Sequence, residues 1–202
     1  MSMRDQFLAI KNAKLFEKIK EFIILGQYKD ALEAIETLDV EYLKDKELSQ
    51  ARIDAWRGMC IIGQGKYQDG LKLIESLLQI DYDNSYEEAI LDATISKAFA
   101  LSALGQIEEG LAICRETEDM LKKHDLTTRE NMARLAKVLT LQGLNTLHKG
   151  DIDLAIEIYL QSHPLLEELG NRKSASAALH NVGSAYRVIG DLDQALEYVS
   201  QS

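Results

Sequence analysis

The stretch Ala178-Leu179-His180-Asn181-Val182-Gly183-Ser184-Ala185-Tyr186-Arg187-Val188-Ile189-Gly190-Asp191-Leu192-Asp193-Gln194-Ala195-Leu196-Glu197-Tyr198 decides the fold. Gly183 stands seven residues before Gly190, and the small-aliphatic pair Ala195-Leu196 begins five residues after it. The same arrangement recurs upstream around Gly26, Gly65, Gly105 and Gly150, so the five glycines are separated by 39, 40, 45 and 40 residues. Five residues beyond each stand Ala31-Leu32, Gly70-Leu71, Gly110-Leu111 and Ala155-Ile156; seven residues before each stand Ile19, Gly58, Ala98 and Gly143. A period near 40 with small residues at fixed offsets marks stacked helical hairpins. Glycine at the turn lets one helix end and the chain reverse, and small side chains a turn or two away let the paired helices approach closely.

These positions predict an all-α fold, a right-handed solenoid of five antiparallel helical hairpins occupying 1–202 as a single domain. The hairpins fall at about 5–38, 46–80, 85–123, 128–168 and 173–202, the last one truncated. Gly26, Gly58, Gly65, Gly105, Gly143, Gly150, Gly183 and Gly190 are read as structural, with alanine but not leucine tolerated at Gly143 and Gly183. Ser85-Tyr86-Glu87-Glu88 and Thr127-Thr128-Arg129-Glu130 read as capping boxes, Gly170-Asn171 as a helix stop, and Pro164 as a kink inside the fourth unit's second helix. The net charge of −10 disfavours nucleic acid and anionic membranes as partners. The apolar runs are short and Met1-Ser2-Met3-Arg4-Asp5 lacks an apolar leader core, which predicts a cytoplasmic protein.

The residues of the last unit, with the glycines and small-aliphatic pairs of the others, resemble the tetratricopeptide repeat family, in its long-period class of about 40 residues. In units one to four, Lys18, Arg57, Lys97 and Gln142 stand where the family usually has leucine. The resemblance implies an interaction module whose first helices line a concave groove. Carried over position by position, the groove includes Phe16, Lys20, Arg52, Met59, Ile95, Phe99, Lys137, Leu144, His180 and Arg187. Its charges are Lys20, Arg52, Lys137 and Arg187 against Asp92, an excess of +3, and its centre is apolar. Phe16, Met59, Ile95, Phe99 and Leu144 there serve equally as partner anchors or as packing between hairpins. The lysine and asparagine rows by which some members clamp a terminal carboxylate are not matched.

Little else in the sequence suggests chemistry. Cys60 and Cys114 read as buried apolar thiols rather than a disulfide pair. The histidines lack metal-ligand spacing. Asp81-Tyr82-Asp83-Asn84-Ser85 starts like a calcium loop but has Tyr86 where glycine is required, and reads as a polar linker. Gly63-Gln64-Gly65 does not continue as a phosphate loop. No nucleophile, base and orienting acid stand together, so the chain reads as no enzyme, with no metal and no cofactor. The expected function is a scaffold or adaptor binding an amphipathic protein segment in the groove. The alternatives are a sensor or regulatory segment of a larger signalling or transcription-regulator protein, and a structural spacer. Leu192, Ala195, Leu196 and Val199 form an apolar stripe on the last helix, and a terminal repeat needs a cover. The stripe therefore implies either a longer protein or a homodimer through the C-terminal end.

Overall fold

The computed structural model describes residues 3–81 and 83–202. Met1 and Ser2, within the stretch read for a leader, and Tyr82, within the stretch read as a linker, lie outside the described residues. Among the described residues every regular element is helical. The chain divides into two compact units, Met1–Ala100 and Leu101–Ser202.

Unit 1 holds α1 (Met3–Ile24), α2 (Tyr28–Thr37), α3 (Lys46–Gly63), α4 (Tyr67–Leu78) and most of α5 (Glu87–Ala103). Unit 2 holds α6 (Ile107–Leu121), α7 (Arg129–His148), α8 (Ile152–Glu168), α9 (Arg172–Ile189) and α10 (Leu192–Gln201). Within each unit, helices adjacent in sequence pack against one another.

The five turns are one local structure. Gly26, Gly65, Gly105, Gly150 and Gly190 all adopt positive φ, between 68° and 88°. The amide after each glycine reaches back five residues along the chain, as in Gln27 N–H to Phe22 C=O at 2.8 Å and Asp191 N–H to Tyr186 C=O at 3.0 Å. This closes a Schellman motif, which satisfies carbonyls that the helix end leaves open. Asp151 and Asp191, just past their glycines, also cap the next helix, their side chains accepting from Leu154 N–H and Gln194 N–H.

The small residues allow the close approach. A Cβ at Gly58 would lie 2.5 Å from Ile74 Cδ1, one at Gly143 would lie 2.9 Å from the Tyr159 ring, and one at Gly183 would lie 2.7 Å from Val199 Cγ2 and 3.0 Å from the Ala195 carbonyl oxygen. Even alanine is crowded at Gly143 and Gly183, contrary to the tolerance expected from sequence. Unit 1 packs around Ile19, Ile35, Ile53, Trp56 and Cys60, with a second cluster that includes Ala55, Ile74 and Ala93. Unit 2 has a cluster of Ala155, Ile156, Tyr159, Val182 and Ala185. Cys60 and Cys114 are both buried thiols, not joined in a disulfide.

Both capping boxes are corrected. Asp83 rather than Ser85 caps, accepting from Ser85 N–H at the start of a 3-10 turn that leads into α5. Thr128 rather than Thr127 caps α7, accepting from Asn131 N–H at 3.3 Å, while the Thr127 hydroxyl donates to Asp125. In each case an aspartate two residues earlier offers a better acceptor than the hydroxyl. α8 runs unbroken past Pro164, and Gly170 ends it at φ 74°.

Candidate functional site

The first helices carry the predicted site residues, and their surroundings differ between the units. In unit 1, Trp56 is 1 % exposed, and its indole N–H donates to Asp92 Oδ2 at 2.8 Å. Asp92 is therefore a buried acceptor inside the core, not a charge on the groove. A carboxylate so placed is tolerated because it is hydrogen-bonded. The Arg52 guanidinium lies over the Trp56 ring at 4.8 Å and the Phe16 ring at 5.9 Å, and Phe16 leans on Trp56 with centroids 5.0 Å apart. Arg52 Nη1 pairs with Glu88 at 2.7 Å, while its buried Nε has no hydrogen-bond partner. Arginine suits such a position, since its planar head stacks on aromatic faces and still offers donors at its edge.

Met59 and Ile95, read as groove residues, are buried at 6 % and 5 % exposure. Helix packing, not an open surface, takes up both side chains. Lys20 pairs with Glu17 at 2.7 Å, one turn back on α1. Phe99 is different: its ring is 40 % exposed and tilts against Tyr67 at 6.3 Å.

In unit 2, Leu144 is half-buried against the cluster around Tyr159, and Lys137 is half-buried. His180 and Arg187 are exposed on α9, followed by Val188 and Ile189, both well exposed. Burial pushes the Tyr159 hydroxyl far above the ordinary tyrosine range, and the nearby Asn181 side chain offsets this in part. It stays protonated in the core.

The polar residues at the family's leucine positions are accommodated by local partners. Lys18 lies over the Phe22 ring, Arg57 pairs with Asp54 at 2.6 Å, Lys97 stands 4.0 Å from Glu75, and Gln142 donates to Glu118 at 2.8 Å. Sequence reasoning missed Trp56, Tyr67 and Glu88 as neighbours of the surface residues, and counted as a groove charge Asp92, which is buried. The one available signal was that Trp56 is the lone tryptophan, beside Arg52 by one helical turn.

Comparison with known proteins gives a family and a fold. Residues 134–202 match the tetratricopeptide repeat family. A search of curated proteins by sequence finds no match. Among solved structures, the chain is similar to Bacillus thuringiensis PlcR, determined in complex with the peptide PapR7 and DNA: TM-score 0.67, 12 % identity, covering 95 % of this chain and 69 % of that one. It is also similar to BtubC (BKLC) from P. vanneervenii, with TM-score 0.60, 15 % identity, and coverage of 99 % and 90 %. A Podosopora anserina putative kinesin light chain with nearly identical TPR-like repeats gives TM-score 0.51, 17 % identity, and coverage of 100 % and 95 %. At these identities the likeness is one of fold. Among the described residues no helix is long and apolar enough to cross a membrane.

Proposed function

We propose that the chain, whose residues 134–202 match the tetratricopeptide repeat family, is a non-catalytic interaction scaffold in which the first-helix face of each unit binds an acidic amphipathic segment of a protein partner. Unit 1 contributes Phe99 with Tyr67, and Arg52 on its ledge of Phe16 and Trp56. Unit 2 contributes Leu144, Lys137, His180 and Arg187. Met59 and Ile95, buried in unit 1, are not part of the exposed surface.

The observation that carries the reading is Phe99. A phenyl ring left 40 % exposed beside a second aromatic, on a helix that buries Leu91, Ile95 and Leu101, is the kind of group that anchors a partner; Phe7 and Ile10 on α1 are exposed as well. The test is capture from the native host's lysate by the wild-type chain and by Phe99→Glu, with the recovered proteins identified and their segments titrated as peptides. A partner lost with Phe99→Glu supports the scaffold; identical recovery refutes it. A second reading, a sensor segment of a larger regulator, is favoured by the fold likeness to PlcR, whose structure holds a peptide and DNA. It requires a peptide-dependent change of shape in solution scattering.

A further inference from the structure

A cleft of about 250 Å³ opens in unit 2, walled by α6 and α8 and floored by α7. It is separate from the first-helix surface discussed above. Its apolar lining is Leu111, Leu139, Leu154 and Ile158, and its charged groups are Arg115 and Glu118 on the α6 wall. The floor is polar where the repeat pattern calls for leucine. Gln142, 5 % exposed, donates to Glu118 Oε2 at 2.8 Å, and Thr146, 4 % exposed, lies one turn further along.

The two charges are in different states. Glu118 accepts from Gln142 and pairs with Lys122 at 2.8 Å. Burial works against its charge, but these partners outweigh that and hold its carboxyl below the ordinary range. It is thus an ionised carboxylate fixed in direction by a buried amide. Arg115, exposed at the rim, makes no ion pair or hydrogen bond among the described residues.

Size and charge together narrow the occupant. The volume corresponds to about eight waters at about 30 Å³ each, below the span of drug-sized pockets. A net anion would meet the field of a −10 protein and the Glu118 carboxylate; a net cation, though drawn by that field, would meet Arg115 and leave its charge unmatched. A small zwitterion with an apolar body avoids both penalties.

We propose that this cleft binds a free aliphatic α-amino acid, its carboxylate on Arg115, its ammonium on Glu118 and its side chain against Leu111, Leu139, Leu154 and Ile158. Arg115 and Glu118, three residues apart on one helix face, suit charges that an α-amino acid holds a few ångströms apart. Gln142 acts as a positioning residue through Glu118.

The test uses the full chain with methyl-labelled leucine and isoleucine, titrated with L-leucine and followed by NMR. The expected result is saturable shifts of the Leu111, Leu139, Leu154 and Ile158 methyls with a Kd of about a millimolar or below, as for a ligand of about nine heavy atoms. N-acetyl-leucine and leucinamide, each lacking one charge, bind at least about tenfold more weakly. Arg115→Gln and Glu118→Gln, checked for folding by circular dichroism, each weaken L-leucine at least about tenfold. Absence of cleft shifts at about 10 mM L-leucine overturns the proposal. So does equal binding of the two capped ligands, which would mark the cleft as a receiver of apolar groups only. Phe99→Glu leaves this binding unchanged, so its outcome is separable from that of the scaffold reading.

Discussion

Replacing Gly143 by alanine tests the packing argument, because two effects of known size oppose each other there. An added Cβ would stand 2.9 Å from Tyr159 Cδ1 and Cε1 and 3.1 Å from Cζ, where carbon atoms prefer about 3.5–4.0 Å. Tyr159 is fully buried, so the ring has no open space into which to retreat, and overpacking of this kind costs about 1–3 kcal/mol. Against it, alanine gains about 1 kcal/mol of helix propensity over glycine. Because the obstacle is an enclosed ring rather than a flexible chain end, we expect a net loss of about 1–2 kcal/mol. For a chain of this size, that lowers Tm by about 2–8 °C. Gly183→Ala should also lose stability: Val199, 42 % exposed, can turn its side chain away, but the Ala195 carbonyl oxygen at 3.0 Å and Val199 N at 3.3 Å are backbone. Circular dichroism melts of the two variants, and of Gly143→Ala in a Tyr159→Leu background, measure the effect; in that background alanine should cost less, with a coupling of about 0.5–3 kcal/mol. Gly143→Ala melting at or above wild type, or an unchanged cost without the tyrosine ring, would refute the close-approach reasoning.

Asp92→Ala leaves the Trp56 indole N–H buried without its acceptor and should destabilise by about 1–3 kcal/mol; the chain's one tryptophan reports directly, through a shifted emission maximum in the folded state. Burial, reinforced by the Glu118 charge, pushes the Cys114 thiol up from an ordinary 9.0 to about 12. Its folded form holds the proton more tightly, so stability is full below about pH 9 and falls as pH rises towards about 12. Urea melts at pH 8 and pH 10 should show a smaller difference for Cys114→Ala than for wild type. On α10, Leu192, Leu196 and Val199 are 67 %, 72 % and 42 % exposed. If a second copy covers them, light scattering finds a dimer that Leu196→Lys dissociates, and a wild-type chain that is monomeric at all concentrations excludes it.

The turns and the small residues were legible in the sequence because each answers a local or near-local demand. Positive φ at Gly105 and a ring 16 residues from Gly143 can be met by few residue types, so the demand shows in the letters themselves. The site was less legible because exposure there depends on where neighbouring helices come to rest. Met59 and Phe99 share one register position and nearly the same hydrophobicity, yet packing encloses one and leaves the other open. Asp92 looked like a surface charge because its partner, Trp56, lies 36 residues away. The α6–α8 cleft was not legible because Arg115 and Glu118 form no pattern on their own helix, and Gln142, polar where the family has leucine, finds Glu118 24 residues away.

The ion pairs change what the basic residues can contribute. Four positive groups against one negative suggested a strong field for an acidic partner, but Lys20 already has Glu17 and Arg52 already has Glu88. An incoming carboxylate at Arg52 therefore exchanges one partner for another, and the aromatic anchors must supply most of the affinity. The consequence is testable at Glu88, whose side chain is 53 % exposed. Glu88→Gln should free the guanidinium without disturbing its seat on Trp56 and Phe16, both of which hold it by stacking. A pair with one exposed and one largely buried partner, Glu88 at 53 % and Arg52 at 13 %, is worth on the order of 1 kcal/mol, so the variant should bind an acidic amphipathic peptide about fivefold more tightly. The gain should shrink as salt screens the exposed charges. Arg52→Gln in the same background should abolish it. If Glu88→Gln left the peptide's affinity and its salt dependence unchanged, Arg52 would be a structural lid on Trp56, and the partner's charge would have to be read by Arg187 in the other unit.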